Sequence, residues 1–471
     1  MKFQFNNFQK IIISIFLFFG FFGLVKVSLA ATCSSINQNG ITWTFDQAYE
    51  CGQFVNGDWW VVAPVTITNK TPAWTGIDHG SMLDPPSGSD TQGFRDNTNY
   101  LPYSNSLRVS FPTTISSGVK SLVSVETDPT NGGGTPANHS FVLNAAVLTI
   151  VNSAPSATSF RPPFVAGAKP LYDSATVNYS LVPSYSAPPT ALNLTGYANM
   201  PWLSIGASTF GEDEMMPRND VGGNGYPPYG SSKVISQLSM LLLLNTANRI
   251  SYINKLIQIG IDDYGKAVGS DIGWLAAGGF GQSHLWPIVF AGKMLNSATI
   301  LSVPRFMTRN PLLRKFGEQG YTYYNAYGVA MFGSDTCMVG ESVYPPTSCS
   351  NNMCRPQDNT VGRPEGFPEN YWGECGGGYR DLVSPAYIGQ SLAMRMLEPT
   401  LGTMTAFNHP SYFDYTDYWA TNVSRANTYV ADGNYGGTGN GFMTYMWDTY
   451  RSAITALDTT PPVAPTGLSV V

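Results

Sequence analysis

The sequence predicts a two-part chain: an N-terminal β-sandwich over residues 31–195 followed by an α/α toroid-like helical domain over 196–457. Three observations carry this. Short runs of strand formers in the first part are punctuated by Gly, Pro, Asn and Asp clusters. The apolar period turns helical after about Pro201. Long Gly- and Tyr-rich segments, rather than tight turns, join the helices. A plain helical bundle is the duller alternative, but its connections are usually short.

Residues 1–30 stand apart from the fold. Lys2 and Lys10 give a basic start, Ile11 to Val25 is an apolar run, and Ser28-Leu29-Ala30 offers small residues at a cleavage position. That is the layout of a secretory signal peptide. The run is short for a membrane span, which needs roughly 20 residues; an uncleaved anchor is the rival reading. The expected location is therefore secreted, periplasmic or at a bacterial cell surface, with no stable span after cleavage.

In the sandwich, Trp59 to Ile67, Leu107 to Phe111, Leu122 to Glu126 and Phe141 to Val151 read as strands. Cys33 and Cys51 flank a hairpin-like segment and pair naturally. Cys337, Cys349, Cys354 and Cys375 crowd one Pro/Asn/Gly-rich region, where three pairings remain open. Their spacing does not match a zinc knuckle. Ser159-Phe160-Arg161-Pro162-Pro163-Phe164 reads as an extended connector, because a double proline cannot sit in a central strand.

Helices are expected at Lys233 to Asn245, Arg249 to Val268, Leu285 to Leu295, Pro385 to Leu397, Phe413 to Asn422 and Phe442 to Leu457. Pro287 and Pro385 are placed in first turns, where proline is tolerated.

Composition narrows the function. Charged residues are 12% of the chain, against about 25% on average. Aromatics reach 13%, with 26 Tyr and 10 Trp. That balance suits an extracellular protein that meets sugars, since aromatic faces stack on sugar rings. A net charge of −6 without a basic cluster argues against nucleic acid as a partner. No nucleophile elbow, P-loop or His-Glu-x-x-His motif occurs. His79 and His139 sit in polar loops, and Asp78-His79 with Asp84 is too loose for a metal site. No metal and no cofactor is expected.

The densest chemical signal is Gly278-Gly279-Phe280-Gly281-Gln282-Ser283-His284-Leu285-Trp286-Pro287, a glycine loop entering an apolar helix with a histidine at the junction. Such a histidine can carry a proton near neutrality; capping the helix end is its bland alternative. Gln282 is a candidate carboxylate neutraliser or a plain loop amide, and Trp286 a candidate sugar contact. A second constellation is Gly376-Gly377-Gly378-Tyr379-Arg380-Asp381, where Arg380 could clamp a carboxylate from a loop. Asn408-His409, followed by Tyr412, Tyr415, Tyr418 and Trp419, has the aromatic density of a sugar subsite. Glu212 and Glu214, near the start of the helical part, form the only dense acidic group and are candidates for substrate contact or acid–base work.

The glycine–histidine stretch, preceded by Ile261-Asp262-Asp263-Tyr264-Gly265, resembles a pattern in secreted bacterial proteins whose helical part is similar to the toroid of alginate-lyase and heparinase II/III-type polysaccharide lyases. In that pattern a Gly-Gly-His-Gly run precedes the helix; here Phe280 occupies the histidine position and His284 follows four residues later. The resemblance implies β-elimination on an acidic polysaccharide. Its candidate bases or acids are His284, Tyr264 and Tyr387, and its candidate neutralisers Gln282, Arg380 and Asn408. Tyr323, Tyr324, Asn325, Tyr379 and His409 complete the candidate set. The tail from Asp458 to Val471 resembles the opening strand of a fibronectin type III module.

Two other classes stay open. An inverting hydrolase would use two of Glu212, Glu214, Asp262 and Asp263, placed roughly 6.5–9.5 Å apart. A non-catalytic glycan-binding or surface structural protein would need no such convergence.

Overall fold

The computed structural model describes residues 31–87, 91–96, 102–127, 142–186, 203, 231–269, 273–274, 276, 281–308, 311, 313–324, 330–332, 377–421 and 442–455. The expected signal peptide, the fibronectin-like tail, Glu212, Glu214, Phe280, Asn325, His139 and the last four cysteines lie outside these residues.

The chain opens as a β-hairpin of β1 (Ala31–Gln38) and β2 (Ile41–Gln53). Asn39 and Gly40 turn it with φ of 52° and 81°. Both residues are left-handed, which is what a two-residue hairpin turn requires and Asn-Gly supplies. A Cys33–Cys51 disulfide closes the hairpin, with the Cα atoms 5.9 Å apart. The expected pairing of these cysteines is therefore found.

The remaining strands are β3 (Trp59–Val62), β4 (Val65–Thr71), β5 (Ser81–Leu83), β6 (Thr113–Ile115), β7 (Lys120–Thr127) and β8 (Val142–Val151). They hydrogen-bond as one sheet in the order β5-β7-β8-β3-β2-β4-β6, with β1 also on β2. β3 and β8 are parallel; the other pairs are antiparallel. The long β2 carries the curl. Its first residues pair with β4 and its last with β3. The sheet thus folds over a core of Trp43, Phe45, Ile67 and Ile115 from one half and Leu122, Leu148 and Ile150 from the other. Trp43 Nε1 donates to Ser124 Oγ at 3.0 Å across that core. The opposite face of β7 and β8 buries Val123, Val125 and Val147 against Phe164 and Val165 of the connector. Both faces of these two strands are therefore buried, with Ser121, Ser124 and Thr149 buried among the apolar residues.

Two strand expectations shift. Trp59 to Ile67 splits at Pro64, which has no N–H for a ladder. Leu107 to Phe111 makes only an isolated bridge, Arg108 to Met82, and pairing resumes after Pro112.

The second part is helical: α1 (Ser231–Leu241), α2 (Arg249–Gly269), α3 (Leu285–Met294), α4 (Ala298–Leu301), α5 (Gly317–Gly320), α6 (Gly377–Leu401), α7 (Thr403–Phe407), α8 (Pro410–Thr421) and α9 (Phe442–Thr455), with a small β9–β10 ribbon (Thr322–Tyr324, Ala330–Phe332). α1 stops short of Asn245 because Leu243 and Asn245 bond instead to the Tyr185 backbone. α6 begins at Gly377, so Pro385 lies inside the helix rather than opening it. α8 opens on Pro410, three residues before the expected start.

α2 lies along α3, and α1 along α6. Contact is close: a Cβ at Gly260 would sit 2.0 Å from the Pro287 carbonyl oxygen, and one at Gly389 2.5 Å from that of Ser236. Side chains at either position would push the helices apart. The core between them is one cluster that includes Leu256, Ile257, Trp286, Ile288, Tyr387 and Trp419. No helix among the described residues is long and apolar enough to cross a membrane.

Candidate acid–base site

α2 carries adjacent carboxylates, and successive helical side chains diverge by about 100°. Asp262 and Asp263 therefore face different surroundings. Asp262 meets Arg161 of the connector in a two-pronged ion pair, Nη1–Oδ1 2.9 Å and Nη2–Oδ2 2.5 Å, with Phe164 N–H also donating to Oδ1. Arg161 Nε bonds Asp58 Oδ2 at 2.5 Å, just before β3. Burial raises the Asp262 carboxyl to about 6 against the opposing pull of the Arg161 guanidinium.

Asp263 faces α3. Its Oδ2 lies 3.3 Å from His284 Nδ1, and both side chains are buried. The His284 ring stacks on Trp274, centroids 4.1 Å apart and planes within 8°. Lys266 Nζ lies 5.3 Å from the Trp274 ring centroid. The approach to His284 is unusual backbone: Gly281 and Ser283 have φ of 75° and 70°. For serine that conformation costs on the order of 1–3 kcal/mol and persists only where surroundings impose it. Here Gln390 Nε2 donates to Ser283 Oγ at 2.6 Å, and Gly317 N–H to the Gly281 carbonyl at 3.0 Å.

Glu318, on α5, completes the cluster. Its Oε1 accepts the Leu285 N–H at 2.9 Å, capping α3 from a different segment where the His284 side chain makes no cap bond. A carboxylate suits a helix N-terminus. Even so, burial pushes the Glu318 pKa up, against the opposing pull of His284 and the N–H bonds. Tyr387 donates to Gln282 Oε1 at 2.5 Å. Burial, with Tyr412 and Glu318 nearby, holds the Tyr387 phenol well above its usual value. Around these groups, Glu318 Oε2, Gln319 Oε1, Gln390 Oε1, Ser391 Oγ and Tyr412 OH are buried without hydrogen-bond partners among the described residues.

The structure thus brings Gln282, His284 and Tyr387 into one buried layer. Other candidates fall elsewhere. Tyr264, one residue past Asp263, turns away toward Tyr172. Trp286 is fully buried and bonds Ser239 Oγ at 2.8 Å, so it is core and not a sugar platform. Asn408 caps α7 in the left-handed conformation and is exposed. His409 is buried, its Nε2 2.8 Å from the Thr322 carbonyl; burial and then Arg314 lower its pKa to about 4. Tyr379 and Arg380 stand on the first turn of α6 rather than on a glycine loop, and only their backbone is described. Tyr324 bonds Asp414 at 2.5 Å on the exposed side of β9.

Sequence reasoning missed Glu318, Trp274 and Gln390. Glu318 had one local sign: a carboxylate in Gly-Glu-Gln-Gly set between Phe316 and Tyr321, both fully buried here. Among the described residues no group of three or more His, Cys, Asp and Glu is placed to hold a metal ion. No family model, curated protein or solved structure matches this chain.

Proposed function

We propose that this is a secreted polysaccharide-active protein, an eliminase on an acidic glycan, working through Asp263, His284 and Glu318 in the toroid-like helical part. One observation supports it above the others: an Asp–His pair stacked on Trp274 stands beside buried polar oxygens without partners. Buried polar groups are normally satisfied, and exceptions gather at functional sites. Asp263 favours the proton on Nδ1 of His284, which makes Nε2 the basic nitrogen. In this reading Nε2 removes the proton beside the uronate carboxylate, and the glycosidic carbon–oxygen bond breaks as the double bond forms. The leaving oxygen takes its proton from Glu318, which burial holds toward its protonated form. Tyr387 fixes the Gln282 amide that faces the carboxylate. No water or oxidant is consumed. The hydrolase alternative is weakened because Asp262 is committed to Arg161.

A second reading has its own support. His284 is 5% exposed and Trp274 4%, which suits a non-catalytic glycan-binding or structural scaffold. Incubation with a panel of uronate glycans separates the two. Ultraviolet absorbance of unsaturated uronate is expected to rise with the native chain and vanish with His284→Ala. No rise, and no new reducing ends on neutral glycans, would leave the scaffold reading standing.

A further inference from the structure

The site's orientation is imposed from outside the helical part. α2 is held at three points along its length. Gly260 abuts Pro287 of α3, Asp262 is gripped by Arg161, and a Cβ at Gly265 would lie 2.5 Å from the Cβ of Pro163. Two of these three contacts come from the connector, and Arg161 is anchored in turn to Asp58 at the sheet. Its Nη1 also donates to the Pro162 carbonyl at 2.9 Å, and Gln258 Nε2 donates to its own carbonyl at 3.1 Å. Arg161 is 1% exposed and each of its three side-chain nitrogens is engaged. Because neighbouring helical side chains diverge by about 100°, fixing Asp262 on this side fixes where Asp263 points on the other.

We propose that Arg161 is a positioning residue for the Asp263–His284 pair, so that the N-terminal sheet, through Asp58 and Arg161, sets the roll of α2 and completes the site. The functional meaning rests on the acid–base reading above; the coupling itself does not. The guanidinium fork matters beyond its charge, since only a planar fork fits both Asp262 oxygens while reaching Asp58.

The test reads His284 directly in the full chain. The protein has only four histidines, so nitrogen-labelled imidazoles can be followed by NMR across pH and His284 assigned by its loss in His284→Gln. The groups facing it are Asp263 from α2, Glu318 from α5 and Trp274, with Lys266 on that ring; Lys255 and Lys169 lie beside the Arg161 cluster. Arg161→Lys keeps the charge and loses the fork. It is expected to lower the His284 midpoint by at least about half a pH unit, roughly threefold in proton affinity, while the other histidines hold. Asp263→Asn should then shift His284 less in the Arg161→Lys background than in the native one. A folded Arg161→Lys with an unmoved His284, or fully additive shifts, overturns the proposal. Should Arg161→Lys fail to fold, Gly265→Ala presses on the same connector with every charge retained, and an unmoved His284 there overturns it equally. Absence of glycan cleavage by the native chain would sink the eliminase reading and leave this coupling intact.

Discussion

Two buried polar clusters lie back to back on α2, and they differ in closure. Around Arg161 the guanidinium is fully engaged: its nitrogens meet Asp58, Asp262 and the Pro162 carbonyl, and Asp262 also takes a backbone N–H, which leaves the Gln258 Oε1 beside the Arg161 carbonyl as the one buried oxygen there without a partner among the described residues. Around His284 the bonding is incomplete, with five buried oxygens lacking partners among the described residues. A closed cluster specifies geometry. An open one keeps bonding capacity for something that arrives later. The contrast separates scaffold from candidate site within two consecutive residues.

The largest expected effect is on the closed side. Arg161→Met strands two carboxylates and should cost about 3–5 kcal/mol in urea unfolding, the usual penalty for breaking a buried pair. A loss below about 1 kcal/mol, the range of exposed pairs, would show that water already reaches the clamp.

Next comes pH. His409 titrates at about 4 in the folded chain against 6.5 for the ordinary group. Between those values the unfolded chain binds a proton that the folded chain does not, so stability falls as pH drops from 6.5 to 4. The full effect is about 3 kcal/mol. Comparing native and His409→Gln chains isolates it from the opposite slope of raised carboxyls such as Asp262 and Glu318. Parallel stability curves across that window would contradict a buried neutral imidazole.

Smaller effects distinguish partnered from unpartnered hydroxyls. Tyr387→Phe removes the bond to Gln282 and should cost about 1–2 kcal/mol. Tyr412→Phe removes a hydroxyl with no partner among the described residues and should be neutral or slightly stabilising. If both phenylalanine variants lose equal stability, the Tyr412 hydroxyl has a partner in solution and the difference between the clusters narrows.

Much of the fold was legible because it is local. The apolar period of Ile253, Leu256, Ile257 and Ile261 marks α2, and Cys33 with Cys51 marks the first hairpin. The site was legible only where a sequence motif coincided with it, at Gln282 and His284. Glu318 reaches Leu285 across 33 residues and Arg161 reaches Asp262 across 101. No periodicity encodes such pairings. Arg161 was visible only as part of a proline-rich connector, although that connector carries the charge that joins sheet to helix. Trp286 misled for the opposite reason: a tryptophan beside glycines looks like a sugar platform until packing shows its indole bonded inside the core.

β2 has a consequence of its own. Among the described strands it is the one registered against three others, β1, β3 and β4, with its two ends serving different halves of the sheet. Adding or deleting a single residue between Phe45 and Cys51 would invert the inward and outward sides of one half relative to the other. It would also shift Cys51 off its partner. Length in this stretch should thus be far less free to drift among descendants of this sequence than length in the loops, and tolerated change there should come as substitution alone.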